Sequence, residues 1–260
     1  MRWALGIEYA GSAYSGWQRQ RACPSVQEHL ETALSRVADH AVKLGCAGRT
    51  DAGVHALGQV VHFDTHAVRA ERSWLLGANS HLPLDISVRW AKTVPPNFHA
   101  RYSATGRQYR YVIYNHLARP SILRERVLWI GRDLEAESMH VAAQALVGEQ
   151  DFSAYRAAEC QSKTAIRVIQ YIQVSRHGQY LYVDIRADAF LHHMVRNILG
   201  VLLKIGTGER PLAWAHEVLV SRQRSLAGIT APPQGLYMVG AFYPAEFSLP
   251  SPPTPLGFHA

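Results

Sequence analysis

A chain of 260 residues with 48% apolar content can bury a substantial core, and no apolar run approaches the ~20 residues that a membrane-spanning helix needs. Cys23, Cys46 and Cys160 are odd in number, widely spaced and without a Cys-x-x-Cys partner, which argues against a disulfide framework or a structural zinc site and predicts three free thiols. The formal net charge is +7, and of 27 basic residues four are lysines, leaving 23 arginines, so a polyanionic partner is expected.

In chain order, residues 2–9 alternate Trp3, Leu5, Ile7 and Tyr9 like a strand rather than a secretory leader, which predicts a cytoplasmic protein. Ser25-Val26-Gln27-Glu28 is a capping box, and Val26, Leu30, Ala33, Leu34 and Val37 follow at helical spacing, predicting a helix over 25–38. A strand at 58–65, a helix at 70–79 and a strand at 86–93 follow, before Pro95-Pro96 interrupts regular structure.

The second half repeats the rhythm with a strand at 107–114 and a helix at 135–147 ended by Gly148. Strands at 166–174 and 180–187 form a hairpin, then come an apolar helix at 192–205, a helix near 212–222 and a last strand at 236–243. The tail from Pro244, with Pro250, Pro252, Pro253 and Pro255, should lie extended on the surface. The fold class expected is α/β (α+β), with two related α/β subdomains of mainly antiparallel sheet flanked by helices. Residues 1–103 would form the first subdomain, 104–245 the second and 246–260 a proline-rich tail.

The stretch Ala47-Gly48-Arg49-Thr50-Asp51-Ala52-Gly53-Val54-His55-Ala56 sets one carboxylate in a short turn-forming segment between strand-like runs. Gly48 and Gly53 permit tight geometry and close approach of another molecule, and an arginine two positions before Asp51 favours the ionised carboxylate, as a nucleophile or electrostatic stabiliser requires. Asp51 or Thr50 could equally cap a turn. Between Asn97 and Arg132, seven arginines (Arg101, Arg107, Arg110, Arg119, Arg124, Arg126 and Arg132) interleave with Phe98, Tyr102, Tyr109, Tyr111 and Tyr114 against the single acid Glu125. Cations of this kind neutralise phosphates while aromatic faces stack on unpaired bases, although a solvated strand face with buried alternates gives the same pattern.

Two other readings compete. His55, His62, Asp64, His192 and His193 with Asp184 or Asp188 could be assembled into a metal-dependent phosphohydrolase, but no His-Glu-x-x-His motif occurs, and adjacent His192 and His193 on a helix point about 100° apart. A noncatalytic RNA-binding sheet would use the same basic and aromatic residues but leaves the Asp51 loop without a role.

Taken together, the Asp51 loop, Gly6-Ile7-Glu8-Tyr9 with Gly16-Trp17-Gln18-Arg19-Gln20, Phe98-His99-Ala100-Arg101-Tyr102, Tyr109-Arg110-Tyr111 and Phe190-Leu191-His192-His193-Met194-Val195-Arg196-Asn197 resemble the tRNA pseudouridine synthase A family over nearly the whole chain. That resemblance implies an isomerase that breaks the N1–C1′ bond of a uridine, rotates the base and joins C5 to C1′, with no cofactor and no metal. Asp51 would be the catalytic group. Tyr109 would stack on the target uracil, Arg196 would pair with Asp51, Leu236 would close the other side of the pocket, and the active-site cleft would lie between the subdomains. Arg49 would take the place of the extruded uridine. Arg69, the segment Phe98, His99, Ala100, Arg101 and Tyr102, and the segment Glu159, Cys160, Gln161, Ser162 and Lys163 would touch the tRNA. The expected substrates are uridines 38, 39 and 40 in the anticodon arm, and the expected assembly is a homodimer.

Overall fold

The computed structural model describes residues 1–21 and 23–258. In chain order its elements begin β1 (Arg2–Tyr9), α1 (Val26–Ala38), β2 (Gly45–Cys46), β3 (His55–Asp64), α2 (Glu71–Asn79) and β4 (Ile86–Val94). They continue with β5 (Gly106–Asn115), β6 (Leu128–Ile130), α3 (Ala136–Gln144), β7 (Gly148–Asp151), β8 (Ile166–His177) and β9 (Tyr180–Ala187). The last three are α4 (Met194–Gly206), α5 (Trp214–Ser221) and β10 (Leu236–Phe242). Every helix and strand expected from the sequence forms, and the short strands β2, β6 and β7 are additions that carry too few residues to show a period. Among the described residues no helix is long and apolar enough to cross a membrane.

Two compact units result. The first comprises Met1–Arg107 with Tyr237–Pro255, and the second Gln108–Leu236 with the segment that begins at Leu256. The sequential division at 103/104 and 245/246 is corrected accordingly: the boundaries fall inside β5 and β10, and the last strand belongs with the N-terminal unit. The physical reason is pairing, because β10 lies parallel to β3 with Tyr237 opposite His55 and Met238 opposite Ala56.

Within the first unit β1 pairs antiparallel with both β3 and β4, and β2 pairs antiparallel with β3. Trp3, Leu5 and Ile7 are buried on one face of β1, where the α2 side chain Trp74 packs 5.8 Å from Trp3 and 5.1 Å from Phe63, ring centre to ring centre. The N-cap half of the capping box forms: the Ser25 hydroxyl accepts the Glu28 N–H at 3.4 Å, while the Glu28 carboxylate meets Arg19 at 3.3 Å, and Val26, Leu30, Ala33, Leu34 and Ala38 are the buried stripe of α1.

In the second unit β9 lies between β5 and β8, β7 pairs antiparallel with β8, and β6 pairs parallel with β5. The β8–β9 hairpin runs in register to His177 opposite Tyr180, with Gly178 at a φ of 56° making the turn. Helix α4 is buried along most of its length, from Met194 and Val195 to Ile205 and Gly206, and packs against α3 and α5.

The proline-rich tail is more anchored than an extended surface segment would be. Phe247 is buried against Phe98, their rings 5.1 Å apart, and Lys92 Nζ donates to the Ser248 carbonyl at 3.0 Å.

His62 on β3 is buried, and its Nδ1 accepts the Ala100 N–H at 3.2 Å. Burial first, then the neighbouring His99 and Arg2, push its pKa down to about 4. The folded state therefore holds His62 neutral at pH values where the unfolded chain, with histidine near 6.5, already takes up a proton. Stability should fall as pH drops from about 6.5 to about 4 and gain no further loss from this group below that window. His99 is lowered in the same sense by burial and by Arg2 and Arg101 and adds to the slope. Urea midpoints measured at pH 7, 6 and 5 should show the decline, and His62→Gln should flatten it; an unchanged slope would remove His62 as its source. Independently, Trp74→Ala should cost roughly 3–5 kcal/mol in the same titration at pH 7.

Candidate active site

Asp51 stands between β2 and β3, half-buried, with Arg49 exposed on one side and the exposed Ala52 on the other. The loop has no regular structure, so its shape comes from what grips its backbone. Thr50 is buried, its hydroxyl 2.7 Å from the Tyr9 hydroxyl at the end of β1, and its carbonyl accepts the N–H of the buried Trp17 at 3.0 Å. After Asp51 the chain turns: Val54 N–H donates to the Asp51 carbonyl at 3.2 Å, Gly53 takes a φ of 79°, and Gly53 N–H donates to the Tyr14 carbonyl at 3.3 Å.

Before Asp51, the fully buried Gln59 brackets Gly48, accepting its N–H at 3.4 Å while its amide donates to the Gly48 carbonyl. Arg107 fixes Ala47, donating to its carbonyl through Nε at 3.3 Å and Nη2 at 3.0 Å.

Two glycines make this arrangement sterically possible. A Cβ at Gly11 would overlap the Val54 carbonyl oxygen, and one at Gly16, where φ is 97°, would press on the Thr50 carbonyl oxygen. Gly11 N–H also donates to His55 Nδ1 at 3.0 Å, and the His55 ring stacks on Tyr237 at 4.7 Å. The Arg49 and Arg101 charges both act at Cys46 on β2, which places two guanidiniums close to that strand. Burial outweighs them and pushes the Cys46 thiol up to about 11, so it stays protonated at neutral pH.

The second unit gathers a different set. Tyr109 on β5 is buried, with the Phe190 ring edge-on at 5.1 Å and 85°. Two residues on, the fully buried Tyr111 donates its hydroxyl proton to the Pro232 carbonyl; burial holds its pKa far above the usual tyrosine value, opposed by the Arg196 charge. Arg196, in the first turn of α4, donates from Nε to the Ala231 carbonyl at 2.8 Å. Leu236 is buried, and its N–H donates to the Pro233 carbonyl at 2.9 Å. Tyr111, Arg196 and the approach to Leu236 thus meet around residues 231–236.

The residues expected at the RNA divide by exposure. Arg49, Arg69, Arg101, Tyr102, Glu159, Gln161 and Lys163 are exposed, while His99, Cys160 and Ser162 are partly so. Phe98 and Ala100 have no accessible surface, so both are core and the exposed members of that segment are Arg101 and Tyr102. Tyr102 is 76% exposed and tilts against His99 with ring centres 4.3 Å apart.

The basic stretch at 97–132 is corrected in part. Arg107 is buried and spends its guanidinium on the carbonyls of Ala47, Ala104 and Arg101. Arg110 grips Asp184 with two bonds of 2.8 and 2.7 Å and lies over the Tyr182 ring at 4.7 Å. Alternation on a strand sent these cations into structural pairings rather than toward phosphate. Of the residues of the metal-hydrolase reading, the three carboxylates are likewise committed within their own units, whereas His192 and His193 precede α4 with their rings 4.0 Å apart rather than splayed on a helix. Asp64 holds Arg2, Asp184 holds Arg110, and Asp188 accepts the Val168 and Ala189 N–H groups.

Gln59 and Arg224 shape these sites and carried no sequence signal, since each acts through partners distant in the chain.

The family model described as tRNA pseudouridine synthase matches residues 6–103 and 142–244. A protein of Shewanella sp. (strain MR-4) named tRNA pseudouridine synthase A is 59% identical over 250 residues, 96% of each chain. Proteins of the same name from Aeromonas salmonicida (strain A449) and Cronobacter sakazakii (strain ATCC BAA-894) are 59% identical over 253 residues and 57% identical over 250. These cover 97% and 96% of this chain and 94% and 93% of their own lengths. The motifs around Asp51, Tyr109 and Arg196 therefore sit in a match that runs almost end to end, and the chain belongs to the tRNA pseudouridine synthase family.

Proposed function

We propose that this isomerase converts uridines 38, 39 and 40 of the tRNA anticodon arm to pseudouridine, with Asp51 as the catalytic group at the ribose or the base. Family membership gives the isomerisation of uridine in tRNA. The observation that carries the assignment of Asp51 is the grip on its loop: a half-buried carboxylate in an irregular segment whose neighbours Thr50 and Gly48 are fixed by Tyr9, Trp17 and Gln59. Such a carboxylate is preorganised for one geometry, as a nucleophile or base requires.

In this reading the N1–C1′ bond breaks, the base turns, C5 bonds to C1′, the C5 proton leaves to solvent and N1 takes up a proton in its place. A redox partner is unnecessary because no net electron transfer occurs. Tyr109 offers its ring to the detached uracil, held square by Phe190. Arg196 supplies positive charge, and Leu236 supplies an apolar wall. Arg49, exposed beside Asp51, fills the stack left by the extruded uridine, offsetting an unstacking cost of a few kcal/mol. Arg69, Arg101, Lys163 and the accessible neighbours His99, Tyr102 and 159–162 hold the RNA backbone, Tyr102 presenting a face for stacking. The enzyme acts as a homodimer in the cytoplasm.

Three outcomes are expected. With tRNA carrying C5-tritiated uridine, wild type should release tritium in the presence of a chelator. Asp51→Asn should bind the same tRNA yet lose roughly 10⁴-fold or more in rate; substantial turnover by the variant would end its assignment. Tyr109→Phe should keep most of the kcat that Tyr109→Ala loses, since the ring rather than the hydroxyl does the stacking, and equal losses would refute that role. Affinity should fall with salt on a log–log slope of about −3, as four exposed cations predict, and Arg101→Gln should reduce the slope by about one. A flat titration would speak against phosphate contacts at these positions.

A further inference from the structure

Arg224 lies outside every motif used so far, yet it closes a polar triangle at the start of α4. Its Nη2 donates to the Asn197 side-chain carbonyl at 3.0 Å and to the Thr230 hydroxyl at 2.9 Å, and its Nη1 donates to the Gly228 carbonyl at 2.9 Å. The Thr230 hydroxyl in turn donates to the same Asn197 oxygen at 2.7 Å. Asn197 is completely buried, and its remaining amide group donates to the Tyr155 carbonyl at 2.8 Å. Every oxygen that Arg224 meets is neutral, so this guanidinium serves as a three-way fork rather than one half of an ion pair.

The fork controls where residues 228–231 lie. A Cβ at Gly200 would overlap the Ile229 carbonyl oxygen, so this strand of chain rests directly on the α4 backbone. One residue beyond Thr230, Ala231 and Arg196 exchange two bonds: Ala231 N–H donates to the Arg196 carbonyl at 3.1 Å, and Arg196 Nε donates to the Ala231 carbonyl at 2.8 Å. The Ala231 carbonyl is therefore an acceptor that orients the Arg196 guanidinium, and its own position follows from Thr230. The next residue, Pro232, receives the Tyr111 hydroxyl, and Gly235 receives the Val112 N–H at 2.8 Å, so the same strap leads on to Leu236.

We infer that Arg224, acting through Asn197 and Thr230, is a positioning residue for Arg196 in the isomerisation. The inference rests on the assignment of Arg196 to the reaction made above. Removing the fork leaves the Asn197 oxygen and the Gly228 carbonyl short of a donor and lets the strap shift on α4. Displacements of about 1 Å remote from the chemistry can cost on the order of 10²-fold in rate.

The test uses the full chain, with tritium release for kcat and KM, filter binding for tRNA affinity and thermal unfolding for stability. Arg224→Met should lower kcat roughly 10- to 100-fold with tRNA affinity little changed. Arg224→Lys, which can reach only part of the fork, should fall between the two. In an Arg196→Ala background the same Arg224→Met change should cost little more, because the group it positions is already gone. If Arg224→Met fails to fold, Thr230→Val against Thr230→Ser makes the same comparison, the hydroxyl-bearing variant losing the smaller part of kcat. An Arg224→Met enzyme with wild-type kcat, or one that loses the same factor with and without Arg196, overturns the inference. Wild-type turnover by Arg196→Ala would instead overturn the role of Arg196 and the positioning role with it.

Discussion

Asp51 sits in a segment that is itself neither helix nor strand, so its placement depends on direct backbone approach at Gly11 and Gly16. Where those two residues lack a side chain, the turn before α1 comes against the carbonyls of Val54 and Thr50, and the Tyr9–Thr50 and Trp17–Thr50 bonds can form. Gln59 and Arg107 complete the enclosure from β3 and β5. A loop gripped by four separate stretches of chain loses little further entropy when it meets a substrate, which is the usual condition for an efficient reacting group.

The same economy governs the arginines. The chain carries far more of them than a phosphate surface needs, and the structure sorts them by what they meet. Arg2, Arg107, Arg110 and Arg224 are tied to carbonyls, carboxylates or amides inside their own units. Arg49 and Arg101 are exposed, as is Arg69, which also donates to the Val37 and Val68 carbonyls. A guanidinium offers five donors in a fixed plane, so one residue type can act both as an internal bracket and as an anion contact. Net charge read from composition counts both kinds, and overstates the RNA-facing part.

Much of this architecture was legible in the sequence. The α1 capping box, the β1 alternation and the long apolar α4 all rest on local periodicity, and local periodicity survives into the fold. The Asp51 loop was legible because its glycines and its lone carboxylate are close together in the chain. What could not be read was set by distant partners. Strands of two to four residues such as β2 and β7 exist only because a neighbour pairs with them, and β10 joins the first unit through β3. The alternation at 107–114 correctly marked a strand, but it could not say that Asp184 would claim Arg110 or that three carbonyls would claim Arg107. Phe98 stands among the residues expected at the tRNA, and its burial against Phe247, a partner far along the chain, could not be read from its neighbours.

The pairing of β10 with β3 also bears on how the protein is made. Ribosomes deliver the chain from its N-terminus, and the first unit holds all of Met1–Arg107 long before Tyr237–Pro255 emerges. Until then β3 lacks its parallel neighbour, His55 lacks the Tyr237 ring, and Phe98 lacks Phe247. The segment that carries Asp51 is thus synthesised early and finished late, and a nascent chain stalled before Tyr237 holds Asp51 without the complete frame around its loop.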